Sequence, residues 1–599
     1  MAIRPTRIFD ILDVISEKYE KPDFFAKRTD DGNGWVTYSI PEYVDYAHNF
    51  ACAFLELGFQ KGDKIVTIMR NRPAWNFLDM GIMLAGMVHV PVYPTLNPEE
   101  YRHILNHCDC KCIVFGIESI YKRVEPVIPD IQQHPLMYSV DKVNNVPSLE
   151  ELLELGRLNR EKWEPVIEEN KRTISTDDIA TIIYTSGTTG KSKGVMLSHG
   201  NICNNFLPIV EDLQNLDYHC KMLSFLPLCH VYERIVNYHY QYMGVSHYYA
   251  GSLATIAKDM HDMHADGFCA VPRVFEMMYD KLYAAGKNLK GIKKHIYLWA
   301  FRFATKFDYY CERPLYLLKY NIADKLVYSK WREALGGHEM TVVSGGSSIP
   351  EKVIRLFVAA KIRVYEGYGL TETSPVIAVN NPRGNSIQIG CVGEILRGVE
   401  FKLADDGEIL TKGPCLMKGY YKDEQYTKEV IDEDGWFHTG DIGSLEKGKY
   451  LKITDRKKEI FKLSLGKYIA PQVVESKLHE SNYIENVMVI GENEKFASAI
   501  IVPSFDNLEA FFKKRHLSMP TSRENIIHHP EVMALMSKEV DKVNKTLADH
   551  EQIKRFRMVP DTWNIGAELS QTMKLRRKYI YQKYDALCRE IYNYDKKED

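Results

Sequence analysis

A chain of 599 residues is too long for one hydrophobic core, so its length implies several domains or subdomains. Its 45% hydrophobic and 26% charged residues suit a globular protein, and a net charge of -3 gives no global reason to expect nucleic-acid binding. No uninterrupted apolar run approaches the ~20 residues that span a bilayer, which leaves a cytoplasmic protein as the expectation, with peripheral membrane contact open.

In chain order, "MAIRPTRIFDILDVISEKYE" carries acids within its apolar part and reads as an amphipathic helix, not a secretory signal. From about 40 to 120, helical patterns such as "YVDYAHNFACAFLELG" alternate with strand patterns such as "DKIVTIM" and "CKCIVFG", the rhythm of a layered α/β domain. Within that stretch His103, His107, Cys108, Cys110 and Cys112 crowd together. The Cys-x-Cys-x-Cys spacing lacks the Cys-x-x-Cys turn and a second pair, so we read buried reduced thiols, as for the other cysteines, and not a zinc site.

The stretch "YTSGTTGKSKG", Tyr184 to Gly194, has the Gly, Thr, Ser and Lys of a phosphate-cradling loop. It is not a Walker loop, because the residue five before Gly190 is Thr185 and a strand-like "GVMLSH" follows where a helix should open. We expect it to join two strands, with Ser198 capping the helix beyond; the competing reading is a surface linker. The βα alternation returns at 220–275 and around "MTVVSGGSSIP" and "IRVYEGYG", with a helical insertion at about 275–335 between them. After 385 come short strands with glycine turns, a β-meander pattern. The charged "DRKKE" then marks a boundary at about 455, dividing 1–455 from 456–599, and the remainder alternates strands and amphipathic helices.

Four further stretches carry chemistry: "GYGLTETSP" with Tyr368, Thr371 and Glu372, "GWFHTGDIG" with Asp441, "TDRKKEIFKLSLGKYIAP" with Arg456, and "LSQTMKLRRKYI" with Lys574. In order and spacing, together with the loop at 184–194, they resemble the adenylate-forming superfamily of acyl-CoA synthetases, peptide-synthetase adenylation domains and luciferases, over about residues 30 to 580. "FLPLCHVYER", "AVPRVFEMMYDKL" and the helical insertion are most similar to AMP-forming long-chain fatty-acid CoA ligases.

The resemblance implies an α/β fold: a large N-terminal domain of layered α/β subdomains plus a β-meander or barrel, then a small mobile α+β C-terminal domain. It implies a fatty acid, ATP and CoA as substrates with Mg2+, no nucleic-acid partner, and leaves a homodimer open. Thr185, Ser186, Gly187, Thr188, Thr189, Gly190 and Lys193 would wrap the β- and γ-phosphates, and Glu372 with Thr185 would hold magnesium. Gly345, Gly346 and Ser347 would wall the adenine, Tyr368 would stack on it, and Glu366, Gly367 and Gly369 belong to the same nucleotide-binding set. Asp441 would accept from the ribose hydroxyls, Arg456 would approach the same sugar, and Lys462 lies in the CoA-side loop, where Leu465 replaces a glycine common in other branches. The catalytic expectations are Lys574 bridging carboxylate and α-phosphate, Thr371 near that phosphate and His230 at the junction with the acyl site, with Lys458 as the hinge. In "KLRRK", charge alone reads Lys574 as part of a solvated face or basic membrane patch. An acyl-AMP ligase serving a carrier protein and a non-catalytic acyl-nucleotide sensor stay open as alternatives.

Overall fold

Valine- and isoleucine-rich runs that are apolar on both faces demand cover on both faces, and here they form strands sandwiched by helices. The computed structural model describes residues 4–186, 192–213, 216–252, 254–381, 387–457, 459–464, 466–570 and 573–592, the side chains of Ser186 and Leu213 excepted. Among these, a seven-stranded sheet runs in spatial order Gly419–Tyr420, Ser192–Ser198, Ile179–Ser186, Val88–Val92, Lys64–Ile68, Cys110–Phe115 and Leu136–Ser139. Lys64–Ile68 pairs in parallel with both neighbours. The helix Ile40–Glu56 starts at a capping box between Ser39 and Glu42 and buries Tyr43, Ala47, Phe50 and Phe54.

A nine-stranded sheet has at its centre the mutually parallel strands Lys221–Ser224, Gly267–Ala270, Met340–Ser344 and Ile362–Gly369. The loops leaving the carboxyl ends of these strands gather on one side, where open α/β sheets place their ligands. The expected insertion comprises helices Pro272–Asn288, Gly291–Ala304, Pro314–Ala323 and Ser329–Glu333, the last two joined by a π-helical turn at Asp324–Tyr328. The expected meander is the antiparallel sheet Glu400–Leu403, Glu408–Lys412, Phe437–Glu446 and Tyr450–Arg456.

Beyond it, the strands Ile484–Ile490, Ser498–Pro503 and Arg555–Met558 form a small sheet. Helices Pro471–Leu478, Phe505–Arg515 and Pro530–Asn544 contribute to the apolar cluster around Val487, Ala499 and Ile501, and Arg577–Lys583 and Asp585–Tyr592 to that around Met488, Ile500 and Val502. Alternation along these strands supplies both faces.

One buried ionic network ties the first sheet to the second. Arg234 on the helix Val231–Tyr242 and Asp79 on the helix Pro73–Leu84, each 1% exposed, pair at 2.5 Å. Arg234 also donates to Thr181 Oγ1 at 2.6 Å, and the Tyr238 hydroxyl donates to Asp79 Oδ2 at 2.6 Å. Burial favours a neutral Asp79, but Arg234 and His89 outweigh it and hold the carboxyl below its ordinary range. Replacing only one partner leaves the other charge buried and alone, so Arg234→Met should destabilise this part of the chain by about 3–5 kcal/mol. Urea denaturation followed by far-UV dichroism checks this; an unmoved midpoint contradicts it.

Candidate active site

The gathered loops, the meander and the C-terminal segment enclose one cavity of about 3490 Å³. One wall begins with the hairpin Ile179–Ser186 and Ser192–Ser198, in which Thr185 pairs with Lys193 and Ser186 with Ser192. The expectation that the loop joins two strands therefore holds. Gly187, Thr188, Thr189 and Gly190 lie outside the described residues, as does the side chain of Ser186. The helix after the hairpin begins at His199, and Ser198 Oγ accepts from the Asn201 amide at 3.1 Å, the expected cap.

The hairpin is braced from the histidine and cysteine cluster. His107 Nδ1 lies 2.7 Å from the Tyr184 hydroxyl, and His103 Nε2 lies 2.9 Å from the Ser192 carbonyl. Cys108, Cys110 and Cys112 are fully buried, and no group of three or more metal-binding side chains occurs among the described residues. His103 and His107 of the cluster thus support the hairpin. Lys193 places its ammonium 5.5 Å from the centre of the Tyr420 ring and over that of Tyr426, within cation–π range.

Two glycines set the opposite wall. Gly346, with φ +90, turns the chain after Met340–Ser344 in a conformation that side chains rarely adopt. At Gly369 a Cβ would stand 1.7 Å from the Pro375 carbonyl oxygen, so only glycine lets the Leu370–Pro375 turn close. That turn holds Thr371 and Glu372 in a 3₁₀ segment. Glu372 accepts from the Tyr420 hydroxyl at 2.7 Å, and burial raises its carboxyl above the ordinary range. Glu366, 5% exposed, accepts from the Ile349 amide at 3.3 Å, and burial pushes it up to about 8. It lines the cavity as a neutral acid at pH 7, next to Gly345, Gly346 and Ser347.

Tyr368, Asp441 and Arg456 form one network. The Tyr368 hydroxyl donates to Asp441 Oδ2 at 2.7 Å, and Arg456 Nε lies 3.3 Å from Asp441 Oδ1. Asp441 and Arg456 face each other across the meander's last two strands, which explains their pairing fifteen residues apart. Each carboxylate oxygen retains a further lone-pair site, so Asp441 has acceptor capacity for two hydroxyls of a ligand.

His230 caps the helix Val231–Tyr242, its Nδ1 accepting from the Tyr232 amide at 3.2 Å. Burial, reinforced by Lys574, lowers the imidazole to about 4. It is therefore neutral at pH 7 with its proton on Nε2, a hydrogen-bond donor at the cavity wall. Lys574 enters from the C-terminal segment, at a turn where its amide meets Ser570 Oγ at 3.0 Å and its carbonyl accepts from the Ser570 amide at 2.8 Å. Its side chain is exposed to the water of the cleft yet surrounded by protein. That enclosure, then Arg456, depresses the ammonium to about 8, with Asp441, Glu459 and Glu372 opposing the fall.

The structure thus brings Thr185, Lys193, His230, Gly345–Ser347, Glu366–Gly369, Thr371, Glu372, Asp441, Arg456 and Lys574 to one cavity. Lys462 is not among its walls; it is exposed beside Tyr468 in the hairpin Phe461–Lys462 and Tyr468–Ile469. Lys458 lies outside the described residues. Sequence reasoning missed Tyr420 and Tyr426, and it marked His103 and His107 only as members of the cysteine cluster, because the partners of all four are remote in the chain. It also read "KLRRK" as one charged run, whereas Arg577 pairs inward with Glu459 at 2.9 Å and Glu475 at 2.5 Å.

Comparison with known proteins gives two family matches along the chain. Residues 16–421 match the family described as AMP-binding enzyme, and residues 458–596 match the AMP-binding enzyme C-terminal domain. The long-chain-fatty-acid–CoA ligase FadD15 of Mycobacterium bovis is 30% identical, over 97% of this chain and 96% of that relative. Long-chain-fatty-acid–CoA ligase 1 of Cavia porcellus is 30% identical, over 96% of this chain and 84% of its own length. In fold the chain is similar to the A domain of carboxylic acid reductase from Segniliparus rugosus, solved with AMP and a co-purified carboxylic acid, with a TM-score of 0.75, 20% identity, and coverage of 98% of this chain and 94% of that one.

The close approach at Gly369 yields a test of the wall. Gly369→Ala must push the Leu370–Pro375 turn outward, displacing Tyr368 and Glu372 together, and should weaken ATP binding about tenfold or more, roughly 1.4 kcal/mol. Calorimetric titration with ATP measures it; unchanged affinity contradicts the role of the turn.

Proposed function

The chain belongs to the AMP-binding enzyme family, and we propose that it activates a long-chain fatty acid with ATP and passes the acyl group to CoA. The observation that carries this reading is that Lys574, from the C-terminal segment, shares one cavity with Asp441, Glu372 and His230. In the first step a fatty carboxylate oxygen attacks the α-phosphorus, a P–O bond forms, and the bond to the β-phosphate oxygen breaks to release pyrophosphate. Two anions must meet, and the Lys574 ammonium offsets their repulsion while His230 donates from Nε2 to the carboxylate. Thr371 sits near the α-phosphate. Thr185, Ser186, Gly187, Thr188, Thr189, Gly190 and Lys193 hold the outer phosphates; Gly345, Gly346, Ser347, Glu366, Gly367, Tyr368 and Gly369 hold the adenine side; Asp441 and Arg456 hold the ribose.

Glu372 is one carboxylate raised by burial beside the phosphate-side hairpin, and magnesium is commonly held by one or two carboxylates together with substrate phosphates. The residues fit: Glu372 and Thr185 would hold Mg2+, which would supply further charge neutralisation at the phosphates.

The acyl side fits a long chain. Val231, Tyr232, Ile235, Val236, His239, Tyr240 and Met243 line the cavity along one helix. From His230 to Met243 this is ~20 Å of helix. An extended chain advancing roughly 1.2 Å per bond, as a polypeptide does, spans that length in about 16 bonds.

In the second step the CoA thiolate attacks the acyl carbon and the carbon–oxygen bond breaks, releasing AMP. Lys574 must make room for the thiol, so the reading includes a C-terminal body that turns on Lys458 and brings the Lys462–Gly466 loop to the site. In support, Lys457 is anchored to the meander through Asp406 at 2.6 Å and Glu408 at 2.7 Å, whereas Glu459 is anchored to Arg577. Lys458 falls between two residues held by different bodies. A cytoplasmic setting belongs to the same reading, in accord with free cysteines throughout the described residues.

Mass spectrometry of products from ATP, magnesium, CoA and a mixture of carboxylic acids tests the function: AMP with long-chain acyl-CoA is expected. Acyl-adenylate without thioester would move the acceptor to a carrier protein, and no acid-dependent product would leave a sensor. Lys574→Ala should lower adenylation at least a hundredfold while sparing thioester formation from supplied acyl-adenylate, and Lys458→Pro should do the reverse. Equal loss of both steps in both variants contradicts the alternation. Because the protonated form of Lys574 does the work, adenylation should hold below its pKa of about 8 and fall as pH rises through it. Single-turnover rates from neutral to alkaline pH read this, and a rate still level well above pH 8 contradicts it.

A further inference from the structure

The last helices of the insertion are two-faced. Inward, Tyr316 and Tyr320 pack on Phe303 and Phe307 with ring centroids 4.9 and 5.1 Å apart, and Ala323 and Val327 are buried. Outward, Leu315, Leu318, Ile322 and Leu326 are 64%, 56%, 43% and 45% exposed. Their spacing of i, i+3, i+7 and i+11 puts them on one stripe, ~17 Å long, on the side away from the core. Single exposed leucines need no explanation; four aligned on one helical face, with nothing covering them among the described residues, do.

Charge identifies the cover. Exposed Lys319 and Lys330 flank the stripe on one side and Lys325 on the other. The face itself, residues 314–333, holds four Lys and Arg against two Asp and Glu, and the preceding insertion residues 287–313 add seven against two, in a chain whose total is -3. An exposed apolar stripe bordered by lysines suits contact with the headgroup boundary of an anionic bilayer, where the lysines reach lipid phosphates on long stems. A second copy of the chain fits poorly, since a two-fold contact would set Lys319, Lys325 and Lys330 of one face against the same lysines of the other. Protein interfaces also deplete lysine. No helix among the described residues is long and apolar enough to cross a membrane, so the contact is with the surface.

We propose that the outer face of residues 314–333 docks the protein on an anionic lipid bilayer, with Leu315, Leu318, Ile322 and Leu326 in the headgroup boundary. The inference stands apart from the proposed reaction, and its test needs no turnover.

Co-sedimentation of the full chain with phosphatidylcholine vesicles, with and without phosphatidylglycerol, measures it. The protein should partition onto the anionic vesicles and release as salt rises. Leu318→Glu with Ile322→Glu should lower the partition coefficient about tenfold or more, and so, independently, should Lys319→Glu with Lys325→Glu and Lys330→Glu. All five positions are exposed, and the dichroism spectrum and thermal midpoint verify the fold of each variant. Failure of the native chain to bind, or binding that neither variant weakens, overturns the proposal. So does a native dimer that the Leu318→Glu and Ile322→Glu variant converts to monomer, which would give the face to a second copy.

Discussion

Two cations, Lys574 and Arg456, share one enclosed cleft, and the charge balance of the whole site depends on making that tolerable. Enclosure and like charge both act against the Lys574 ammonium, and three carboxylates, Asp441, Glu459 and Glu372, restore it to about 8. Each carboxylate is held by a different element: Asp441 by Tyr368 and Arg456, Glu372 by Tyr420, and Glu459 by Arg577. The three come from the meander, the nine-stranded sheet's edge and the segment beyond 455, so the cleft is balanced only when all three parts converge. A cation kept at the margin of its protonated range, in a cleft walled by protein, interacts more strongly with an anion brought beside it than it would in bulk water.

The same economy appears in the acids. Glu366 and Glu233 are each pushed by burial to about 8 and are neutral at pH 7, so neither adds repulsion against an incoming phosphate or carboxylate. Glu233 accepts from Ser224 Oγ at 2.5 Å one helical turn beyond His230, and thereby fixes the helix start that presents the imidazole. Arg234, the next residue on that helix, is sequestered instead in its pair with Asp79, where it joins two sheets without lining the cavity. Rigid support of this kind is what allows donors to be aimed before a substrate arrives.

What was legible in the sequence follows from the range of each interaction. The strand–loop–strand form of 179–198, the Ser198 cap and the meander are written in alternation and turn residues a few positions apart, and all are present. The insertion was visible from its scarcity of glycine, and it starts three residues earlier than expected, where Pro272 opens its first helix. The alignment of Asp441 with Arg456 depends on strand register, which a hairpin sets locally. By contrast, the Tyr420–Glu372 bond joins residues 48 apart and His107–Tyr184 joins residues 77 apart. Nothing in either stretch alone announces its partner. The run "KLRRK" shows the limit most sharply: Lys574 faces the cleft, Arg576 donates to the Gly566 carbonyl and Arg577 turns into a carboxylate pair, three environments that one block of charge could not distinguish.

In the proposed reaction a carboxylate oxygen bonds to the α-phosphorus in this cleft before any thioester forms. Turnover of a fatty acid labelled with oxygen-18 in its carboxylate, with ATP and CoA, tests it directly by mass spectrometry of the nucleotide product. Attack on the α-phosphorus followed by thiolysis leaves one labelled oxygen in AMP and none in pyrophosphate. Label in inorganic phosphate or pyrophosphate, or AMP without label, would contradict the account.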